Sequence, residues 1–183
     1  ARTFQNIRLF GGMSVLENVM VGRHSRTQGG FWSALLPGAN GRREEVEIAE
    51  RAHSELEFVG LAATADRQAA TLSYGDQRRL EIARALATDP QLLLLDEPAA
   101  GMNPQETGDL ISLIRAIQTR GITVVLIEHD MGLVMRLSDR IVVMNFGQKI
   151  ADGPPTAVRT DPQVIAAYLG GAAADGPGEA EWM

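Results

Sequence analysis

The chain of 183 residues contains no cysteine. That excludes disulfide cross-links and thiolate metal sites, and it suits a reducing compartment. Basic charge is not in excess: 17 Lys and Arg stand against 23 Asp and Glu, a net charge of −6. The overall electrostatic footprint of a nucleic-acid-binding protein is therefore missing. No apolar run is long enough to span a bilayer. The opening residues, ARTFQNIRLF, lack the sustained apolar core and small-residue cleavage site of a signal peptide. They also lack an initiating methionine and read as the inside of structured sequence, so a truncated or processed start is expected. What is present, 45% hydrophobic and 22% charged residues, is ordinary globular usage at a length that supports one domain with a sizeable core.

The most informative stretch is Leu92 to Pro98, LLLLDEP. Four leucines ending in two carboxylates, Asp96 and Glu97, read as a strand buried on both faces in a parallel sheet, with acid groups at its carboxyl edge. Ligands bind at that edge in open α/β folds. Ile122–Ile127 is a second continuous apolar strand. Arg140–Asn145 reads as a third, with Gly147–Ala151 as a fourth paired through a tight turn. Helices are expected between them, one capped by Asn103 with Pro104 and Glu106, bearing Leu110, Leu113, Ile114 and Ile117 and stopping at Gly121. Another spans Met131–Leu137. The alternation over residues 88–145 predicts a parallel sheet with right-handed crossovers.

Upstream, residues 1–12 read as a strand remnant and a loop, and residues 13–71 as a helical insert. Ser14 and Glu17 form a capping box. Residues 23–41 read as a loop carrying Phe31, Trp32, Leu35 and Leu36. Residues 42–59 place Val46, Ala49, Ala52, Leu56 and Val59 at helical spacing, with Gly60 as the stop. A helix is expected from Ser73 to about Ala87, with Leu80, Ala83 and Ala87 on one face. Residues 154–169 read as helical, and the Gly- and Ala-rich tail after Gly170 as disordered.

Several side chains carry possible chemistry. A carboxylate such as Asp96 can hold a phosphate-bound magnesium, and a second such as Glu97 can polarise a water during phosphoryl transfer. A lone Asp-Glu pair would ordinarily be a helix cap or a solvent contact; the leucines before it and Pro98 after it favour the ligand-binding edge. His129 also follows an apolar strand, which predicts the same edge, where an imidazole could bond a phosphate or water. Ser73 and Gly75 sit at a helix start, where free N–H groups and the helix dipole favour a phosphate. Arg78, Arg79 and Arg84 alternate with acids and read as a solvated face. His24 and His53 receive no role.

The string LSYGDQRRLEIARALAT, together with LDEPAAGMNP, the IEHDM stretch and the ending DPQVIAAYLG, resembles the nucleotide-binding subunit of ATP-binding-cassette (ABC) transporters. Within that family it is most similar to the subunits serving branched-chain amino-acid importers. The resemblance runs from Gln5 to about Gly170. It implies an α/β fold, a partial P-loop-NTPase-like parallel-sheet core with an inserted helical subdomain. Residues 1–8 would end the N-terminal core and carry the glutamine loop. Residues 9–88 would form the helical signature subdomain, 89–170 the C-terminal part of the ATPase core, and 171–183 a disordered tail. The resemblance further implies ATP and Mg2+ as cofactors. Gln5, in Phe-Gln, would contact magnesium or water and relay permease contact. Leu72, Ser73, Tyr74, Gly75 and Asp76 would form the signature loop, which contacts ATP held by the opposite subunit. Asp96 would help coordinate magnesium, Glu97 would be the general base or water-positioning residue, Asn103 would lie in the loop that crosses the dimer interface, and His129 would be the switch histidine. Tyr74, Asp76 and Asn103 depart from the general family pattern in ways that suit the branched-chain branch.

One family feature is missing. No G-x-x-x-x-G-K-[ST] phosphate loop occurs in the chain; in the family it precedes the glutamine loop, together with several core strands. The chain is therefore expected to be the C-terminal portion of an ATPase subunit, inactive alone, with an exposed edge at Leu92–Leu95 and a tendency to aggregate or dimerise. The expected partners are a second ATP-binding subunit, identical or related, and transmembrane permease subunits, with no nucleic acid. The expected location is the cytoplasmic face of the membrane. An alternative is a non-catalytic module lending Ser73 and Gly75 to a partner's ATP. A DNA-repair or chromosome ATPase would need long coiled coils between Gln5 and the signature, where only about sixty residues without heptads lie.

Overall fold

Ser14 and Glu17 close a reciprocal capping box: the Glu17 N–H donates to Ser14 Oγ at 3.1 Å and the Ser14 N–H to Glu17 Oε2 at 2.7 Å. This starts α1 (Val15–His24). The computed structural model describes residues 1–3, 7–24 and 39–168. They belong to two units, Ala1–Glu128 and His129–Met183. Gln5, the apolar residues expected in the 23–41 loop (Phe31, Trp32, Leu35 and Leu36) and the tail after Gly170 lie outside the described residues.

In the first unit, α1 packs with α2 (Ala39–Phe58) and α3 (Tyr74–Leu86). The α2 stripe is Ile48, Ala52, Leu56 and Val59, all buried, whereas Val46 is 56% exposed. The expected register was thus wrong at Val46, because Ile48 lies on the face that meets the other helices. Single 3-10 turns at Ala62–Thr64 and Ala69–Thr71 lead into α3, where Ser73 is the N-cap and its side chain accepts from the Asp76 N–H at 3.2 Å. The approach of α1 to α3 is governed by Gly22: a Cβ there would lie 2.2 Å from the Arg84 carbonyl oxygen. The backbone cannot yield as a side chain would. Gly22→Ala is expected to cost about 3 kcal/mol, the upper end of overpacking penalties. The check is a lower urea midpoint at unchanged m-value.

The strands β1 (Leu92–Asp96) and β2 (Thr123–Ile127) flank α4 (Pro104–Thr119) and pair in parallel, from Leu92 opposite Thr123 to Asp96 opposite Ile127. Asn103 and Glu106 cap α4 reciprocally, each bond 2.9 Å. The buried stripe is Leu110, Ile111, Ile114 and Ile117; Leu113 is only partly covered. Burial of the sheet differs from the sequence expectation. Leu93 and Leu95 are buried, but Leu92, Val125 and Ile127 on the opposite face are exposed, Ile127 by 58%. Among the described residues of this unit, packing covers one face only. The edge expected to be bare carries Ala1–Thr3, which run parallel to β1. The Leu94 N–H donates to the Ala1 oxygen at 3.0 Å and the Thr3 N–H to the Leu94 oxygen at 2.9 Å.

The second unit contains α5 (Met131–Leu137), β3 (Ile141–Asn145), β4 (Gln148–Gly153), α6 (Pro155–Val158) and α7 (Pro162–Tyr168). Asp130 caps α5 by accepting from the Leu133 N–H at 3.1 Å. Among the described residues β3 pairs antiparallel with β4 and does not join the parallel pair. Its connection to β4 is short: Phe146 and Gly147 both have positive φ, 45° and 77°, the requirement of a two-residue hairpin turn. The expected helix over residues 154–169 is broken at Asp161-Pro162, since proline cannot extend a helix through its missing N–H. Ile141, Val143, Val158 and Val164 form the core of this unit.

On the hairpin, Asp152 receives Arg140 Nε at 2.8 Å and Lys149 Nζ at 3.1 Å. The hydrogen bond from Arg140, then that from Lys149, holds its carboxyl down at about 2. A depressed carboxylate stabilises the fold above its unfolded pKa of about 3.9, and that contribution disappears as pH falls through about 2. An NMR titration of the Asp152 carboxyl should show this low midpoint, and Arg140→Ala should move it up toward the ordinary value.

Candidate functional site

Glu97 follows directly on β1 and leaves the strand sharply. Its φ is +43°, a left-handed conformation for a residue with a side chain. The turn is held from both sides: the Glu97 N–H donates to the Ile127 oxygen at 2.9 Å and the Glu97 oxygen accepts from the Ala100 N–H at 3.2 Å. The Ala99 N–H donates to Glu128 Oε1 at 3.0 Å, fastening the loop after Glu97 to the exit of β2. Asp96 is partly exposed, and Arg2 Nη2 pairs with its Oδ2 at 3.1 Å. The strand ends thus present two carboxylates at the carboxyl edge of the parallel pair, as the sequence predicted.

The start of α3 meets the start of α4. A Cβ on Gly75 would lie 2.9 Å from Glu106 Oε1, so the absent side chain makes room for the carboxylate that caps α4. Arg79 Nη2 pairs with Asp109 Oδ2 at 3.0 Å, a further tie between the two helices. Between them lies a cavity of about 30 Å³, bounded by Ser73, Gly75 and Asp76 on one side and Met102, Glu106 and Leu110 on the other. It has room for about one water and none for a phosphate. A phosphate could meet this helix only at its outer end, where first-turn N–H groups have no intrahelical acceptor. Tyr74 reaches sideways: a Cβ on Gly101, which has φ of +77°, would lie 3.6 Å from Tyr74 Cε1. Leu72 is buried, and its oxygen accepts from Gln77 Nε2 at 3.0 Å.

The structure therefore brings Leu72–Asp76 against the loop that runs from Glu97 to Asn103. Gln5 lies outside the described residues. His129 is exposed and opens the second unit. Sequence reasoning missed Glu128 and Arg2 as partners of the carboxylate edge, because hydrogen bonds spanning 29 and 94 residues leave no local pattern. It also misread Arg78. That residue is 1% exposed and ion-paired to Glu81, not part of a solvated face. The alternation of charge along the segment is real, but helical rotation turns this pair inward.

A parallel strand pair with a crossover helix, carboxylates at its carboxyl edge and a capped helix start beside them form the ligand-binding edge of an open α/β fold. One similar solved structure is the ADP conformation of MJ1267, an ATP-binding cassette of an ABC transporter, with a TM-score of 0.75 and 34% identity over 93% of this chain and 68% of that one. A family model described as ABC transporter matches residues 1–100, and one described as branched-chain amino acid ATP-binding cassette transporter matches residues 148–174. The high-affinity branched-chain amino acid transport ATP-binding protein LivG of Escherichia coli is 51% identical over 170 residues, 92% of this chain and 67% of LivG. Its counterpart BraF of Pseudomonas aeruginosa is 52% identical over the same shares. The chain belongs to the ABC transporter family.

Proposed function

We propose that the chain acts as the C-terminal portion of the ATP-hydrolysing subunit of an importer for branched-chain or other hydrophobic amino acids, coupling ATP binding and hydrolysis to transport. The observation that supports it best is the packing of the α3 start, through Gly75, on the capped start of α4 beside the loop after Glu97. The likeness to LivG and BraF supports the substrate class. In this reading residues 9–88 are the signature subdomain and 89–170 the ATPase core. The subunit pairs with a second ATP-binding subunit and docks on a transmembrane permease from the cytoplasmic side. Among the described residues no helix is long and apolar enough to cross a membrane.

The donor set fits Mg-ATP. Magnesium is held by one or two carboxylates and the substrate's phosphates. The described residues form no cluster of three or more acidic or histidine ligands, but they supply the single carboxylate required, Asp96. When bound, Mg2+ neutralises charge that develops on the transferring phosphoryl group. Glu97 positions the attacking water and takes its proton. Ser73 and Gly75 offer the helix start to ATP held by the opposite subunit, and Asn103 lies at the dimer interface. Gln5 relays permease contact, and His129 holds a phosphate or the water.

A second reading, a module that lends its signature loop without hydrolysing ATP itself, is favoured by one observation. No G-x-x-x-x-G-K-[ST] motif occurs in these 183 residues, so the chain alone is expected to show no turnover. The test is branched-chain amino-acid uptake and Mg-ATP hydrolysis in proteoliposomes holding the permease and the ATP-binding subunit that carries this chain. Gly75→Asp, which sets a second carboxylate against Glu106, should abolish both. ATP-dependent association with an intact subunit in the absence of uptake would favour the module. Absence of both uptake and ATP-dependent association would reject both readings.

A further inference from the structure

Arg78 and Glu81 form a completely hidden ion pair on α3: Arg78 Nη1 lies 3.0 Å from Glu81 Oε2, and the residues are 1% and 2% exposed. A buried ion pair has no general stability advantage over apolar side chains of the same volume. What it adds is direction, and both ends of this pair point at loops. The second Glu81 oxygen, Oε1, accepts the backbone N–H of Arg8 at 3.4 Å. Arg84, one turn on, adds a further positive charge near Glu81, and its guanidinium stands 5.8 Å from the Phe10 ring. Two residues along from Arg8, the Phe10 N–H donates to Oδ1 of the fully buried Asn18 at 2.9 Å. The segment after Gln5 is thus fastened at two points. At the opposite end, Arg78 Nη2 donates to the Tyr74 hydroxyl at 3.4 Å, with the guanidinium 5.8 Å from the ring. Tyr74 in turn packs on Gly101, in the loop after Glu97.

We propose that the Arg78–Glu81 pair is a positioning device that holds Tyr74 of the signature loop and the Arg8–Phe10 segment after Gln5 in one register. Neither residue touches nucleotide. The rigid guanidinium fork lets Arg78 hold Glu81 and Tyr74 at once, so movement of the Arg8 segment is passed to Tyr74 and on to Gly101. The inference rests on the reading of Leu72–Asp76 as the signature loop.

The test replaces the pair by apolar side chains, Arg78→Met with Glu81→Leu, beside Tyr74→Phe at a partly exposed ring. The double variant should fold with a melting temperature close to that of the wild type. Its Arg8 amide should exchange about tenfold faster, as expected for a segment released to open locally. In the assembled transporter, kcat for Mg-ATP should fall about tenfold with KM unchanged, the mark of an interaction that matters in the transition state and not in binding. Tyr74→Phe should lower kcat several-fold, again at constant KM. An unchanged Arg8 exchange rate, or a kcat that neither variant lowers, would overturn the proposal. If the double variant does not fold, Glu81→Gln serves instead: it keeps the acceptor for Arg8 and loses the charge for Arg78, so kcat should fall while Arg8 stays protected. The exchange measurement is made on the chain itself and needs no turnover. A wild type that hydrolyses nothing would count against the proposed function, and the exchange result would still decide the positioning role.

Discussion

Replacing Arg120 with alanine is expected to destabilise the first unit by about 3 kcal/mol, the lower end of the cost of stranding one member of a buried ion pair. Glu55 on α2 is fully buried, and Arg120 at the end of α4 reaches its Oε2 with Nη1 at 2.7 Å. Arg51 Nη2 stands 3.0 Å from the other oxygen but is shared with Asp89 at 2.8 Å. The Arg120 guanidinium also lies on the Phe58 ring, 3.2 Å from its centroid, and alanine removes that contact too. Such a loss should lower the melting temperature by about 6–12 °C for a chain of this length. The companion variant carries Arg120→Ala together with Glu55→Leu. With no carboxylate left to strand, it should recover much of the loss. A single variant within about 0.5 kcal/mol of the wild type, the range of ordinary surface substitutions, would show that Arg51 alone suffices to hold Glu55.

Glu97 joins two roles that substitution can separate. Glu97→Gln in the assembled transporter should lower kcat at least about a hundredfold, the smaller end of what a general base contributes. Stability should respond to the backbone instead. A side chain at φ of +43° costs about 1–2 kcal/mol, a cost that Glu97→Ala retains and Glu97→Gly removes. The glycine variant gives back about 0.5–1 kcal/mol through the freedom of its unfolded chain. It should therefore unfold at a temperature equal to or above that of the alanine variant, while both are inactive. A glycine variant clearly less stable than the alanine one would mean that the turn stores no strain. Full turnover in Glu97→Gln would remove Glu97 from the proton transfer altogether.

The elements whose signals are local were legible in advance. Ser14 with Glu17, Ser73, and Asn103 with Glu106 all cap helices where a side-chain oxygen three residues from a backbone N–H predicts it. Gly60 and Gly121 stop their helices at φ of +78° and +79°. The helix Met131–Leu137 begins and ends where expected. Errors arose where the deciding partner is distant. Val46 and Ile48 fit a helical face almost equally by spacing, and only the packing of α1 and α3 selects Ile48. The strand over Ile141–Asn145 has the apolar run of a parallel strand. Among the described residues it pairs with β4 through the tight turn at Phe146-Gly147, as expected, and the error is confined to its expected place in the parallel sheet.

The same division holds for the candidate site. Sequence by itself determined the family, the two carboxylates at the end of a parallel strand and the capped helix start at Ser73, since each is a property of consecutive residues. Tertiary structure decided what those features touch. Gly75 is small because Glu106 fills its space, and Arg78 is buried because its turn of α3 faces inward. Glu128 and Arg2 attend the carboxylate edge from the far side of long loops. The physical reason is that a cap or a strand is read within a few residues. The contents of a cavity and the partner of a buried charge depend on which chain segments packing brings together, and no local pattern encodes that.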